Sequence, residues 1–255
     1  MGNMITKPTS NGPFPVVPGE PLIIAPAEHG PLLAAKGFPR RLWNPDLFAL
    51  TVLAEFAATD WSRRIVLPPP PAPDSQATKD EIARLVTLAK ERPARAQEIV
   101  KQDEELTDYW VQLLAISGRP GSPTFELLKI ATRVAELTMS HFKRLYDRPR
   151  AQQLQPALMP MLPMPGHPSY PSGHMAIARL LSLVASEVLP DAKKPLLALA
   201  ERVGQNREIA GLHYPSDTDA GRELADKAFA ILKTCTGYVH AHEAALAELK
   251  ETLGP

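Results

Sequence analysis

Apolar residues recur three or four positions apart along most of the second half of the chain, the period of a helix with one buried face. Leu128, Ala131, Ala135, Phe142 and Leu145 form the clearest such series. On this pattern helices are expected over residues 45–61, 79–91, 94–116, 123–146, 173–188, 192–208 and 218–249. Boundary signals agree with the periodicity. Asn44 precedes Pro45 and Ser122 precedes Pro123, each pairing a capping side chain with a proline that the first helical turn tolerates. The segment MAIARLLSLVASEVL is apolar on most of its surface, which places its helix inside a bundle. No run alternates as a strand would, so the fold class expected is all-α, a helical bundle.

Residues 1–45 are dense in proline, which removes donors needed by a sheet and interrupts any helix interior. They read as an N-terminal arm. After the first helix, LPPPPAPDS reads as an extended polyproline connector. The chain therefore divides into an arm with its first helix, 1–65, and a helical domain, 66–255.

Composition narrows the function by exclusion. Lys and Arg total 28, as do Asp and Glu, so the formal net charge is zero and the broad positive surface of a nucleic-acid binder is not expected. Any positive pocket has to be local. A single cysteine, Cys235, permits no internal disulfide and reads as core. The first residues carry no basic region leading into an apolar leader, and the apolar runs DLFALTVLAEFAA and ARLLSLVASEVLP are too short to span a bilayer. A cytoplasmic protein without a membrane span is the expectation, and homo-oligomerisation is left open.

Three clusters carry candidate chemistry. Lys143, Arg148 and Arg150 sit on and just past the end of the 123–146 helix, where basic residues can simply complement the helix dipole. Ser172, Gly173 and His174 open the buried helix; a hydroxyl and free helix-terminal amides bind an oxyanion, although Ser172 can equally serve only as a cap. Arg207, His213 and Asp217 form the third cluster. Asp217 can accept the Nδ1 hydrogen bond of His213 and leave Nε2 free as nucleophile or ligand, or it can act as a helix cap. The three clusters offer cations, a hydroxyl, amides and two histidines without metal-ligand spacing. Phosphoryl transfer needs little more, because its catalysis is mostly positioning and charge stabilisation.

In combination and order, these residues resemble the signature of the type 2 phosphatidic acid phosphatase and vanadium haloperoxidase superfamily: Lys143 with Arg150 seven on, the PSGH of 171–174, and Arg207, His213 and Asp217 at spacings of six and four. LPPPPAPDS also looks like the segment preceding the core of the soluble class A nonspecific acid phosphatases, and the resemblance spans about residues 66–233. It implies a helical bundle and a hydrolase of small phosphorylated substrates that needs no metal. It makes His213 the nucleophile that forms a phosphohistidine, Asp217 its orienting partner and His174 the general acid. Lys143, Arg150, Ser172, Gly173 and Arg207 would hold phosphoryl oxygens. The same resemblance carries an alternative, a haloperoxidase in which His213 ligates vanadate as cofactor; for a phosphatase, vanadate would be an inhibitor. Where the family usually has proline after the first arginine this chain has Ala151, and where it has serine before the second it has Asn206. Arg148, not Arg150, precedes a proline here, so both remain candidates for the anion-binding arginine, with the lysine spacing favouring Arg150.

Overall fold

The computed structural model describes residues 38–104, 106–116 and 121–253. The proline-rich arm up to residue 37 and the expected boundary residues 117–120 lie outside the described residues. Helices make up all the regular structure, and no strand occurs among the described residues: α1 (Pro45–Ala57), α2 (Trp61–Arg64), α3 (Gln76–Leu88), α4 (Arg92–Glu104), α5 (Leu106–Leu113), α6 (Pro123–Tyr146), α7 (Ala151–Leu154), α8 (Gly173–Val188), α9 (Lys193–Ile209), α10 (Pro215–Leu232) and α11 (Thr236–Leu253). The protein is all-α, as the periodicity requires.

The apolar helix α8 lies in the middle, touched by α5, α6, α9, α10 and α11. Leu180, Leu181 and Val184 on it are fully buried, and each such side chain contributes about 1.5–3 kcal/mol by leaving water. Its buried Ser182 is satisfied internally. Ser182 Oγ accepts from the indole of buried Trp110 at 3.1 Å and donates to the Leu196 carbonyl at 2.7 Å, so α5, α8 and α9 share one buried hydrogen-bond chain.

Asn44 and Ser122 cap α1 and α6 through backbone amides two or three residues on. The compact unit begins at Pro39. Helix α1, which the sequence places with the arm, packs on α6 and α11 and buries Ala49, Val52 and Phe56 in the same core as α8.

Three expected helices are each two. Residues 45–61 break at Ala58–Asp60, after which Trp61 opens α2 and stacks on Phe56 with ring centroids 6.0 Å apart. Residues 94–116 are α4 and α5, and 218–249 are α10 and α11, joined by a tight turn in which the Thr234 and Cys235 amides bond the Ile231 and Leu232 carbonyls. In each case both halves bury their own apolar face, so helical spacing persists across the reversal and hides it. Leu145, counted on the apolar face of α6, is instead 61% exposed.

The polyproline connector is fixed through the only backbone groups it has in quantity, its carbonyls. Tyr146 donates to the Leu67 carbonyl and Tyr170 to that of Pro68, both at 2.5 Å. These two rings, in edge contact at 5.1 Å, tie the end of α6 and the approach to α8 onto the same strut.

Helix α10 reaches the N-terminus of α8 because Gly221 lacks a side chain: a Cβ there would lie 2.6 Å from the Ser172 carbonyl oxygen, a backbone atom that cannot move aside. Gly221→Ala is therefore expected to destabilise the fold by roughly 1–3 kcal/mol, as overpacking does. Gly166→Ala, with nothing within 4 Å of the new methyl, is the control and should leave the urea midpoint unchanged. Equal midpoints for the two variants would contradict the close approach.

Candidate active site

The spacing of Arg207, His213 and Asp217 is a consequence of how α9 stops and α10 starts. Gly211 takes φ +80°, the left-handed conformation that glycine adopts without penalty. The Leu212 amide then bonds the Arg207 carbonyl and the Gly211 amide that of Glu208, the paired bonds of a Schellman ending. His213 follows directly. Tyr214 is the N-cap of α10, Pro215 its first residue, and Asp217 reaches back so that its carboxylate accepts from the Tyr214 amide at 3.1 Å and from His213 Nδ1 at 3.1 Å. Asp217 is thus both the helix cap and the partner of the imidazole.

Four donors converge on that carboxylate. Besides His213 and the Tyr214 amide, Ser169 Oγ donates to it through a short hydrogen bond and Arg148 Nη1 donates at 2.7 Å. Arg148 also donates to Ser216 Oγ and to Glu81 on α3, and its guanidinium lies 3.8 Å from the Tyr214 ring centre. Glu81 in turn accepts from the Ser216 amide at 2.7 Å. Of the two arginines in RPR, Arg148 therefore stands behind Asp217.

Arg150 instead borders a small cavity of about 110 Å³ together with Gly173, His174, His213, Met139, Pro165, His167, Ile177 and Leu212. The guanidinium is held from behind: Nη1 donates to the Leu212 carbonyl at 2.7 Å, Nε to that of His167 at 3.1 Å, and Nη2 contacts His167 Nδ1 at 3.0 Å. Lys143 lines the adjoining groove of about 420 Å³. Its ammonium donates to the carbonyls of Pro168, Ser169 and Pro171 at 2.7–3.2 Å, which uses all three of its protons. Ser172 is fully buried, and its Oγ accepts from the Met175 amide at 3.4 Å as the cap of α8. The amides of Gly173 and His174, first in that helix, have no intrahelical acceptor.

Arg207 is also fully buried, but it turns toward α4. Its Nη1 donates to Asp103 at 3.0 Å and its Nη2 to the Ile99 carbonyl at 2.6 Å, while Nε has no partner. The same Asp103 oxygen lies 3.6 Å from His174 Nε2. Next to Arg207, Asn206 donates to Gln102 across the same helix pair at 2.9 Å. The structure thus brings Arg150, Gly173, His174 and His213 into one cavity wall, puts Lys143 at its edge, and holds Ser172, Arg207 and Asp217 in the layer behind. Glu81, Asp103, His167 and Ser169 join these residues without having been singled out in the sequence. Ser169, two residues before the PSGH run, had a local signal; Glu81 and Asp103 come from distant helices and had none.

The electrostatics follow from burying so many cations together. Burial, reinforced by Arg150 and opposed by Asp217, brings the Lys143 ammonium down to about 7. Burial likewise lowers Arg150 and Arg207 to about 10. His213 falls to about 3, chiefly because it is buried and despite its bond to Asp217. His174 is held well below its ordinary value by loss of water and by Arg207, His213, Lys143 and Arg150, even though 27% of its side chain stays exposed. Burial works against ionising Asp217, but His213, Arg148 and Ser169 outweigh it and hold the carboxyl near 2. Both histidines are therefore neutral in the anion-free site at pH 7, next to two arginines that stay charged and a lysine about half protonated. No carboxylate lines the cavity itself, Asp217 and Asp103 standing behind it, so the site is suited to receive an oxyanion.

A separate groove of about 930 Å³, lined by Arg84, Tyr109, Glu201, Arg202, Glu208 and Arg222 among others, contains none of these residues. Among the described residues no three His, Cys, Asp or Glu side chains converge as a metal site would require, and no helix is long and apolar enough to cross a membrane.

The described helices thus hold two histidines, a buried aspartate and several cations around a cavity of about 110 Å³. Residues 127–239 match the family model described as PAP2 superfamily. Among similar proteins, a non-specific acid phosphatase of Salmonella typhimurium is 42% identical over 85 residues, 33% of this chain and 32% of the relative. One of Providencia stuartii is 45% identical over 64 residues, 25% of this chain and 26% of the relative. An acid phosphatase of Zymomonas mobilis is 32% identical over 83 residues, 32% of this chain and 31% of the relative. The matched region spans about a third of the length of these relatives.

Because Arg148 neutralises two carboxylates that are buried or nearly so, its removal leaves charge stranded. Arg148→Ala is expected to cost about 3–5 kcal/mol of stability, and Arg148→Lys should recover little, since an ammonium cannot bridge Asp217, Ser216 and Glu81 as a planar fork does. Urea unfolding at pH 7 measures this. A loss under about 1 kcal/mol, the scale of an exposed ion pair, would contradict the structural role.

Proposed function

We propose that this chain is a phosphomonoester hydrolase of the acid phosphatase kind, acting on small phosphorylated substrates through a phosphohistidine at His213. The observation that carries the proposal is the His213–Asp217 pair beside the cavity shared with Arg150, Gly173 and His174. The acid phosphatase names of the similar proteins support it, and nothing comparable favours a vanadate-dependent peroxidase.

In this mechanism Asp217 fixes the tautomer of His213: Nδ1 carries the proton and donates it in a hydrogen bond to the carboxylate, and Nε2 presents its lone pair. Nε2 has no hydrogen bond to any described residue and sits at the cavity wall. It attacks phosphorus in line while the bond from phosphorus to the ester oxygen breaks. His174, protonated in the substrate complex, gives its proton to that oxygen, and the alcohol leaves. Water then attacks the phosphohistidine, losing its proton to His174, and the P–N bond breaks to release inorganic phosphate and regenerate neutral His213 and protonated His174. Arg150 and the amides of Gly173 and His174 meet the oxygens of the transferring group, and Lys143 and Arg207 supply positive potential around it. The dianionic substrate offsets those cations and raises His174 towards the range in which it can act as an acid.

His213→Ala should reduce kcat for p-nitrophenyl phosphate to background while the chain still unfolds cooperatively in urea, with a stability loss of about 1–3 kcal/mol from the donor lost to Asp217. Retention of most of the activity would rule out the nucleophile. His174→Ala should be more damaging with an alkyl phosphate than with the aryl ester, whose leaving group needs less protonation; equal losses would speak against His174 as the acid.

The pH dependence has a definite sign. The reaction needs His213 neutral, which holds above about 3, and Lys143 charged, which is lost as pH rises through about 7. It also needs a proton on His174, whose lowered value makes that form scarcer as pH rises. All requirements but the first are met better in acid, so kcat/KM should fall as pH rises through neutrality. A maximum well above pH 7 would contradict the assignment. A chelator should leave the rate unchanged; metal-restored activity after chelation would contradict a reaction carried by these side chains alone.

A further inference from the structure

His167 was not expected to have a role, yet it is the residue that lines the oxyanion cavity and both outer grooves beside it. It precedes the PSYPSGH run, and its ring Nδ1 stands within hydrogen-bond distance of two groups at once. Arg150 Nη2 lies 3.0 Å away and the Pro168 carbonyl oxygen 3.1 Å away. These contacts require opposite protonation of the same nitrogen. A bare Nδ1 accepts from Arg150; a protonated Nδ1 can only donate, which suits Pro168 and turns the Arg150 contact into one between two hydrogens.

Of the five Arg150 donors, the Nε and one Nη1 N–H are committed to the backbone carbonyls of His167 and Leu212, Nη2 has the Pro168 carbonyl as a further acceptor at 3.4 Å, and the second Nη1 N–H has no hydrogen bond to a described residue. The proton that Nη2 directs at His167 is therefore an engaged donor whose acceptor, a side chain, can be withdrawn without moving the backbone. We propose that His167 is a positioning residue for the reaction at this site, which with a bare Nδ1 occupies an Arg150 donor and on protonation releases that donor to a bound oxyanion. The inference rests on the oxyanion-site reading above and adds to it a residue that sets how strongly the site binds as pH changes.

Both consequences of protonation have the same sign. The released N–H gains an anionic acceptor, and the new positive charge stands at the cavity wall. The other charged or titratable groups bordering the same three cavities are Lys143, Arg144, Asp147, Arg148, Arg150, His174 and His213. The partial burial of His167 first, then Lys143 and Arg150, oppose a proton on it against its contact with the Pro168 carbonyl, so its value lies below the ordinary one. A bound dianion reverses that opposition, so proton and anion bind together.

Sulfate tests this without turnover, because it stays a dianion across the range in which the histidines titrate. Its affinity for the wild-type chain, His167→Asn and His167→Ala would be measured by calorimetry between pH 5 and 8. Asparagine places an acceptor near the position of Nδ1 but does not titrate; alanine removes the acceptor. Wild-type affinity should rise on acidification by about tenfold more than that of His167→Asn, the scale of one charge-assisted hydrogen bond. His167→Ala should bind sulfate several-fold more tightly than wild type at pH 8, because the Arg150 donor is then always open. A wild-type pH slope retained in His167→Asn, or His167→Ala binding more weakly than wild type at pH 8, would overturn the proposal while leaving the oxyanion site in place. No sulfate binding by the wild type at any pH would overturn the site reading and this inference with it.

Discussion

The arrangement around Asp217 is what the site depends on. A carboxylate with no exposure to water is costly unless it is paired and hydrogen-bonded, and here Arg148, His213, Ser169 and the Tyr214 amide all supply donors to it. The donors come from three different pieces of the chain. Arg148 brings the segment after α6, Ser169 the approach to α8, and His213 the turn between α9 and α10. Glu81 extends the connection to α3 by gripping both Arg148 and the Ser216 amide. One buried charge thus assembles three sequence-distant motifs, fixes an imidazole tautomer and starts a helix.

The second constraint is the opposite one, positive charge buried with little acid to match it inside the cavity. Lys143 and Arg150 are 3% and 2% exposed, and in place of carboxylates their protons meet backbone carbonyls of residues 167–171 and Leu212. Those contacts satisfy donors without cancelling charge. They also make the cations organisers of the loop between α7 and α8, which Arg92 secures further by bonding the Met159 and Ile209 carbonyls. The positive field is consequently in place before any anion arrives, which is the condition under which electrostatic stabilisation of a transferring group is most effective. Asp103 tempers it on one side by pairing with Arg207 next to His174.

Much of this was legible because local rules encode it. The cap at Ser172, the Schellman glycine at 211 and the reach of Asp217 to the Tyr214 amide all act within a few residues, so the spacings in the sequence are the geometry of helix ends. Arg148 and Arg150 could not be separated that way. Both lie in an extended stretch two residues apart, and which one faces the cavity is decided by Glu81 and Asp217 drawing Arg148 to the opposite side, partners 67 and 69 positions away. Arg207 was expected among the oxyanion contacts, and its engagement with Asp103 and Ile99 on α4 was equally out of reach of local reasoning. The turns that split α1 from α2, α4 from α5 and α10 from α11 escaped because burial on both sides preserves helical spacing, whereas a break marked by proline and a capping side chain, such as that before α6, did not.

The central claim is that the Asp217-held imidazole of His213 becomes covalently bonded to phosphorus. Mixing the protein with a fast-leaving aryl phosphate, quenching within the first turnover in alkali, where a P–N bond survives, and mapping the adduct by mass spectrometry tests it most directly. The account predicts a phosphoryl group on the peptide containing His213, removed by acid and missing from His213→Ala. Full release of phosphate in the same turnover without any such adduct, or an adduct on His174 instead, would contradict it.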